Sequence, residues 1–474
     1  MSTKIVGWLS ILLTVSVPAN SQDPATPTID TFIVKFKPSH PVRRRKIGFA
    51  EEWYLNKTFL PQGDTAGLLA KHDLDQFTAT LSALGTSSAS RLFPNDDETY
   101  DQHRINAESN MPLLIQQKSI GQYTPVPDLN LFYLVVIQYK SGFGRREFLD
   151  SLSCDNAVET AYPLYHSIDA SFPRSRRMVA GRPAARLDKD YTGLQAYLYE
   201  QPTGINARST WMFPGGQGDG IHLIDIEFNW NCQHADLKPF WLCPNITYGL
   251  ISVSIRHILS VAIAEAADML HPGDVILIEQ ELQPDSLTPG RSACGNSQYG
   301  VLPAEAAADC YQAIADATTK GIIVVEAAGN GELDLDDPQF LGRFNPQRSP
   351  GAIMVAADTG GNVVPACYTN YGSRVNYYAW GDNVVTTGGV GDLTPATSNR
   401  DHFYTNTFNG TSSASPIIAG VIADIQGIRH RRGLPLWHVG DFLQNIKGSP
   451  QAPGTANKPI GIFPDLSATL SGMF

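Results

Sequence analysis

Alternating apolar and polar residues mark a strand with one buried face, whereas a short unbroken apolar run marks a strand covered on both faces. Thr31-Phe32-Ile33-Val34-Lys35-Phe36-Lys37 alternates in the first way. Residues 129–138 (LNLFYLVVIQ) predict a second strong strand, and Val158-Glu159-Thr160-Ala161-Tyr162 a closing one. Helical spacing covers 66–84 and 145–153. Strands framing helices over residues 29–165 predict a small α+β domain. Further on, 218–225 (GDGIHLID) is a glycine-rich turn feeding a strand that ends in a carboxylate. Residues 275–279 (VILIE) predict another strand, and 321–331 (GIIVVEAAGNG) a buried strand ending in a small-residue turn. Helices are predicted over 254–270, 304–318 and 417–430, and no internal repeat interrupts the pattern.

Between these regions, residues 166–190 read as a basic linker. Phe172-Pro173-Arg174-Ser175-Arg176-Arg177 and Arg182-Pro183 combine positive charge with helix breakers. Two readings stay open there: an exposed processing segment cut after a basic residue, or a solvated loop. At the amino terminus, Lys4, a mostly apolar stretch over 5–17 and Ala19-Asn20-Ser21 have the form of a secretory signal peptide over 1–21. No later run has the length and apolarity of a membrane span.

The chain has 474 residues, enough for two or three domains, and its 42% hydrophobic and 17% charged content is that of a folded protein. A net charge of −11 gives no sign of a nucleic-acid partner. Secretion permits disulfides, and Cys232 with Cys243 and Cys294 with Cys310 are the closest-spaced pairs among six cysteines. No Cys-x-x-Cys pair and no Cys/His spacing typical of zinc occurs, and Asp334, Asp336 and Asp337 fit no calcium loop, so neither a metal nor a cofactor is expected. Asn56, Asn245 and Asn409 each open a glycosylation acceptor pattern.

The candidate chemistry centres on Asn409-Gly410-Thr411-Ser412-Ser413-Ala414-Ser415-Pro416. A serine just inside a helix amino terminus has its hydroxyl set against backbone dipoles, and small neighbours let a substrate chain approach. This octapeptide resembles the nucleophile motif of the subtilisin-like serine proteases, the subtilases, with Ser412 as nucleophile. Asp225 then matches the family's catalytic acid, and His234-Ala235-Asp236-Leu237 resembles the segment that follows it. Ala327-Ala328-Gly329-Asn330-Gly331 matches the turn whose Asn donates to the tetrahedral oxyanion. The resemblance covers 191–474. It implies a three-layer α/β fold with a largely parallel sheet and an acyl-enzyme mechanism on peptide substrates. Glu279, Gln280 and Glu281 become one cleft wall and Ala328 and Gly329 the other. Residues 29–165 take the place of the family's propeptide, so a secreted monomer is implied whose partners are peptide substrates and its own propeptide, with no nucleic acid and no membrane.

One part of the pattern is missing. A subtilase presents His-Gly-Thr between the acid and the cleft strand, and no His-Gly-Thr occurs in this chain. Residues 243–248 lead almost directly into the predicted helix over 254–270, a gap of about 40 residues, more than one supersecondary unit. His257 has a tempting separation from Asp225, but Ile258-Leu259 follows it rather than Gly-Thr. His222, His234 and His271 have weaker claims. Three readings compete: a serine endopeptidase impaired by the absent base, an inactive peptide- or partner-binding relative, and a sedolisin-like Ser-Glu-Asp site using Glu265 and Asp268. The gap itself is either a true deletion or a misdrawn exon boundary.

Overall fold

The computed structural model describes residues 9–10, 29–47, 50–55, 64–93, 128–164, 166–169, 190–227, 234–236, 248–252, 258–284, 292–295, 298–388, 392–393 and 399–473. These divide into two compact units, one holding 14–111 and 126–165, the other holding 166–474 with two short upstream stretches.

In the first unit the alternating segment forms β1 (Ile29–Phe36), followed by a hairpin of β2 (Val42–Ile47) and β3 (Ala50–Leu55). Then come α1 (Asp64–Leu84), β4 (Gly85–Arg91), β5 (Phe132–Tyr139), α2 (Arg145–Ser153) and β6 (Val158–Pro163). The strands build an antiparallel sheet in the order β4-β5-β1-β6. Period-two alternation puts Phe32, Val34 and Phe36 on one face, where they pack with Phe77 of α1 and Phe148 of α2. The Phe32 and Phe148 rings stack with centroids 4.2 Å apart.

The second unit opens with β7 (His166–Asp169), so the stretch read from sequence as linker begins as a strand; residues 170–189 lie outside the described residues. The core elements are β8 (Leu223–Glu227), β9 (Tyr248–Ser252), α3 (Leu259–Met269), β10 (Val275–Ile278), β11 (Gln280–Gln283), β12 (Leu302–Pro303), α4 (Ala308–Thr319), β13 (Ile323–Ala327) and β14 (Ile353–Asp358). They continue through β15 (Tyr377–Trp380), β16 (Val384–Gly388), β17 (Tyr404–Phe408), α5 (Thr411–Arg431), α6 (Val439–Asn445), β18 (Gly448–Pro450), β19 (Ile462–Pro464) and α7 (Leu466–Ser471).

Eight of these strands form one sheet, in the order β9-β8-β10-β13-β14-β15-β19-β18, parallel throughout except for the last pair. This is the α/β architecture with a largely parallel sheet. Its central strands are buried along their whole length, because helices cover both faces. Val275, Leu277, Ile323 and Val325 share a core with Ile417, Ile418, Val421 and Ile422 of α5. The intervening Ile276, Ile278 and Val324 are equally buried but lie outside that cluster. On α3, Ala262, Ile263, Ala266 and Ala267 are buried, and α3 packs against α4 and against β8 to β10.

Several boundaries differ from those read off the sequence. The helix expected over 254–270 is described only from Leu259, and 253–257 lie outside the described residues. Leu9–Ser10, within the stretch read as a signal peptide, pairs in parallel with Thr387–Gly388. Cys294 bonds Cys367 rather than Cys310, which is a free thiol buried in α4. Sequence spacing favoured the nearer partner, but α4 turns Cys310 into the core. Cys232 and Cys243 lie outside the described residues.

Candidate active site

A parallel sheet directs the carboxyl ends of its strands to one edge, where the following loops can converge. Asp225 lies in β8, level with Leu250 of β9 on one side and Leu277 of β10 on the other. Glu279 follows β10 directly, and Ala328-Gly329-Asn330 follows β13, the next strand across. The candidate side chains Asp225, Glu279, Gln280, Glu281 and Asn330 are all buried.

Ser412 is the second residue of α5, whose amino-terminal cap is Gly410 at φ +108°. That conformation strains any residue with a Cβ, so glycine sets the sharp entry of the chain into the helix. Pro416 sits inside the helix four residues after Ser412. It has no N–H, so the Ser412 carbonyl lacks its usual helical partner. The Ser412 hydroxyl is buried and makes no hydrogen bond among the described residues.

The nucleophile candidate and the oxyanion candidate are joined through Thr411. The Asn330 side-chain oxygen accepts the Thr411 backbone N–H at 2.9 Å and its hydroxyl at 3.1 Å. Thr411 Oγ1 in turn accepts the Gly329 N–H at 3.2 Å. The Asn330 amide nitrogen donates to Gln298 Oε1 at 3.2 Å, so its donor points at an acceptor oxygen. Asn370 holds the same turn: its Nδ2 donates to the Ala328 carbonyl at 2.7 Å, and its backbone N–H to the Gly329 carbonyl at 2.9 Å. Gly329 adopts φ +94°, and a Cβ there would meet Asn370 Nδ2 at 2.7 Å. The Cys294–Cys367 disulfide lies four residues before Gln298 and three before Asn370, tying together the two segments that grip Asn330.

The acidic cleft wall does not face outward. Glu281 Oε2 accepts the Asn330 N–H at 2.7 Å, and Gln280 Nε2 donates to Glu227 Oε2 at 3.0 Å. β11 is the inner strand of its three-stranded sheet, flanked by β12 on one side and β7 on the other, and Glu279, Gln280 and Glu281 are all buried. Its register with β7 is antiparallel, setting Gln280 opposite Asp169 and Glu281 opposite Ile168.

Beneath the turn, Glu326 of β13 and Glu305 share Arg374. Arg374 donates to both Glu305 oxygens, at 2.9 and 2.6 Å, and lies 3.5 Å from Glu326 Oε1. Burial first, and the Glu305 carboxylate second, push Glu326 well above the usual carboxylate range.

The histidine assignments separate clearly. His257 lies outside the described residues. His234 is buried, donates from Nε2 to the Phe403 carbonyl at 2.9 Å and accepts the Asp236 N–H on Nδ1 at 3.2 Å. Both ring nitrogens are engaged in local contacts, and burial lowers its pKa. His222 and His271 precede β8 and β10, at the opposite edge of the sheet from Asn330. Asp268 pairs with Lys320 at 2.8 Å on the α3–α4 surface, which removes it from a Ser-Glu-Asp site. Asp336 accepts the Ser373 N–H at 2.7 Å and its hydroxyl at 2.6 Å, a contact between two segments 37 residues apart in sequence. Asn409 is buried, which leaves no room for a glycan.

Sequence reading missed Gln298, Asn370 and the anchoring role of Thr411. The Thr411 signal was present inside the octapeptide; the other two act from distant loops.

A family model described as the subtilase family matches residues 285–438, a span that contains both Asn330 and Ser412. Alkaline protease 1 of Emericella nidulans is 36% identical over 146 residues, covering 29% of this chain and 32% of that protein. An extracellular protease of Xanthomonas campestris is 34% identical over 116 residues, covering 24% of this chain and 18% of that one. The matched stretch thus spans a third or less of the length of these relatives. Among solved structures, fervidolysin from Fervidobacterium pennivorans aligns over 95% of this chain and 62% of its own, with 13% identity and a TM-score of 0.48.

Proposed function

The chain belongs to the subtilase family, and on that premise we propose that it is the secreted precursor of a subtilisin-type serine endopeptidase, catalytically impaired for want of its base. Ser412 is the nucleophile, Asp225 the acid that orients a base, and Asn330 the donor to the oxyanion. The observation that carries this reading is the Asn330–Thr411 hydrogen bond, which fastens the residue before the nucleophile to the turn that would receive the developing charge.

In the reaction, Ser412 Oγ bonds to the scissile carbonyl carbon while its proton passes to a base. The C–N bond then breaks, the amine leaves with a proton, and water releases the acyl group from Ser412. Asn330 Nδ2 moves its hydrogen bond from Gln298 to the oxyanion, a contact worth about 3 kcal/mol or more where charge develops. The base is the weak point: His-Gly-Thr is absent from the sequence, and Ser412 Oγ is hydrogen-bonded to no imidazole among the described residues. Loss of a triad member leaves roughly 10³–10⁴-fold catalysis over water, from the oxyanion hole and binding alone.

The pairing of β7 on β11 supports a precursor state. An extended segment of the chain itself takes the edge that a peptide substrate would add to. The unit spanning 29–165 then acts as the propeptide, and the basic stretch over 172–183 as the processing segment.

The same pairing favours a second reading, an inactive subtilase fold that binds extended peptides without cutting them. Hydrolysis of a fluorogenic peptide set by the full chain, with binding followed by calorimetry, separates the two. Slow turnover above background supports the impaired peptidase. Binding without turnover supports the second reading, and neither binding nor turnover rejects both.

A further inference from the structure

We propose that His222, His271 and Asp274 form a binding site for a borderline divalent transition metal, of which Zn²⁺ is the first choice, at the amino-terminal edge of the central sheet. His222 immediately precedes β8 and Asp274 immediately precedes β10; Leu223 and Val275 are register partners, so the two residues stand side by side. His271 joins them through the turn His271-Pro272-Gly273-Asp274, closed by an Asp274 N–H to His271 carbonyl bond of 3.0 Å. Gly273 makes that turn possible at φ +93°, where a Cβ would approach Leu436 Cδ1 to 2.3 Å.

The donor atoms converge. His222 Nδ1 lies 3.2 and 3.1 Å from the two Asp274 oxygens, and His271 Nδ1 lies 3.8 Å from Oδ2. All three donors fall within 4.8 Å of one another. Ligands at about 2.0–2.2 Å from a tetrahedral zinc ion stand roughly 3.3–3.5 Å apart, so the set brackets that spacing. The longest separation closes by rotation of the His271 ring, whose side chain is 81% exposed.

The carboxylate is held in place before any ion arrives. Oδ1 accepts the His222 backbone N–H at 2.9 Å, and Oδ2 accepts the His271 backbone N–H at 2.9 Å. An ion pair between His222 and Asp274 alone needs no third partner, yet the His271 ring is set 6.4 Å from the His222 ring over the same carboxylate. Two imidazoles with one carboxylate suit zinc, nickel or copper rather than calcium or magnesium, and leave a position for water. The ion would clamp the starts of β8 and β10, and Asp225 lies three residues along β8.

The test is titration of the full chain with ZnCl₂ against a chromophoric chelator, with thermal melting in parallel. One equivalent is expected, together with a higher melting temperature in zinc. His271→Ala, at an exposed position where folding is undisturbed, should weaken binding at least tenfold and abolish the thermal shift. His222→Asn combined with His271→Ala should abolish binding. Absence of stoichiometric binding overturns the proposal, as does zinc binding unchanged in His271→Ala. Equal affinity for CaCl₂ overturns the assignment of metal class.

Discussion

The side-chain oxygen of Asn330 accepts the backbone N–H of Thr411 at 2.9 Å, across 81 residues of sequence. Asn330 sits beyond the end of β13, and Thr411 is the first residue of α5. Through this bond the position of Ser412 depends on the turn that carries Asn330, the proposed oxyanion donor.

Thr411→Val keeps the backbone bond but removes the hydroxyl contacts to Asn330 and Gly329. Each buried bond of this kind contributes about 1 kcal/mol, so the variant should lose roughly 1–2 kcal/mol in urea unfolding. Combined with Asn330→Ala in a double-mutant cycle, it should show coupling of at least about 0.5 kcal/mol. Additive losses would mean the two residues do not act together.

Arg374 is fully buried between Glu305 and Glu326. Arg374→Leu leaves Glu305 with an uncompensated buried charge, and a cost of about 3–5 kcal/mol is expected. A loss under about 1 kcal/mol in denaturant titration would show that water already reaches this group.

Burial, opposed by backbone N–H groups such as that of Gly360, raises the pKa of Asp358 from 3.8 to about 6. The folded state therefore holds the proton more tightly than the unfolded one. Its stabilising contribution is complete below 3.8 and is lost as pH rises through about 6. Asp358→Asn should flatten the stability profile across that window, which melting curves at stepped pH will report. A profile identical to that of the unsubstituted chain contradicts the assignment.

Peptide mapping without reduction should recover Cys294 linked to Cys367, with Cys310 unmodified until the protein unfolds. Replacing both linked cysteines by serine should cost about 2–4 kcal/mol, since the bridge closes a long loop in the unfolded chain. A Cys294–Cys310 peptide would refute this arrangement.

Much of the fold is legible in local pattern. The apolar runs at 275–278 and 323–327 are central strands because both of their faces are covered. The nucleophile candidate and the oxyanion turn are legible for the same reason, since small residues and glycines at fixed offsets act over a few positions. What escapes is chemistry set by distant partners. Glu279, Gln280 and Glu281 look like an open cleft wall because nothing near them in sequence announces β7 and β12 as the neighbours of β11. Cys367 lies 73 residues from Cys294, while Cys310 lies closer and is turned inward by α4. The breakers and charges over 172–183 dominate the appearance of a stretch whose first four residues are β7.

The central claim is that Ser412 is the nucleophile of a subtilase site that lacks an effective base. Prolonged exposure of the full chain to a serine-reactive fluorophosphonate, with the adduct located by peptide mass spectrometry, tests it most directly. The expected result is one slowly formed adduct on Ser412, absent from Ser412→Ala. No adduct on Ser412, an adduct on another residue, or labelling as fast as in a subtilase that carries its histidine would contradict it.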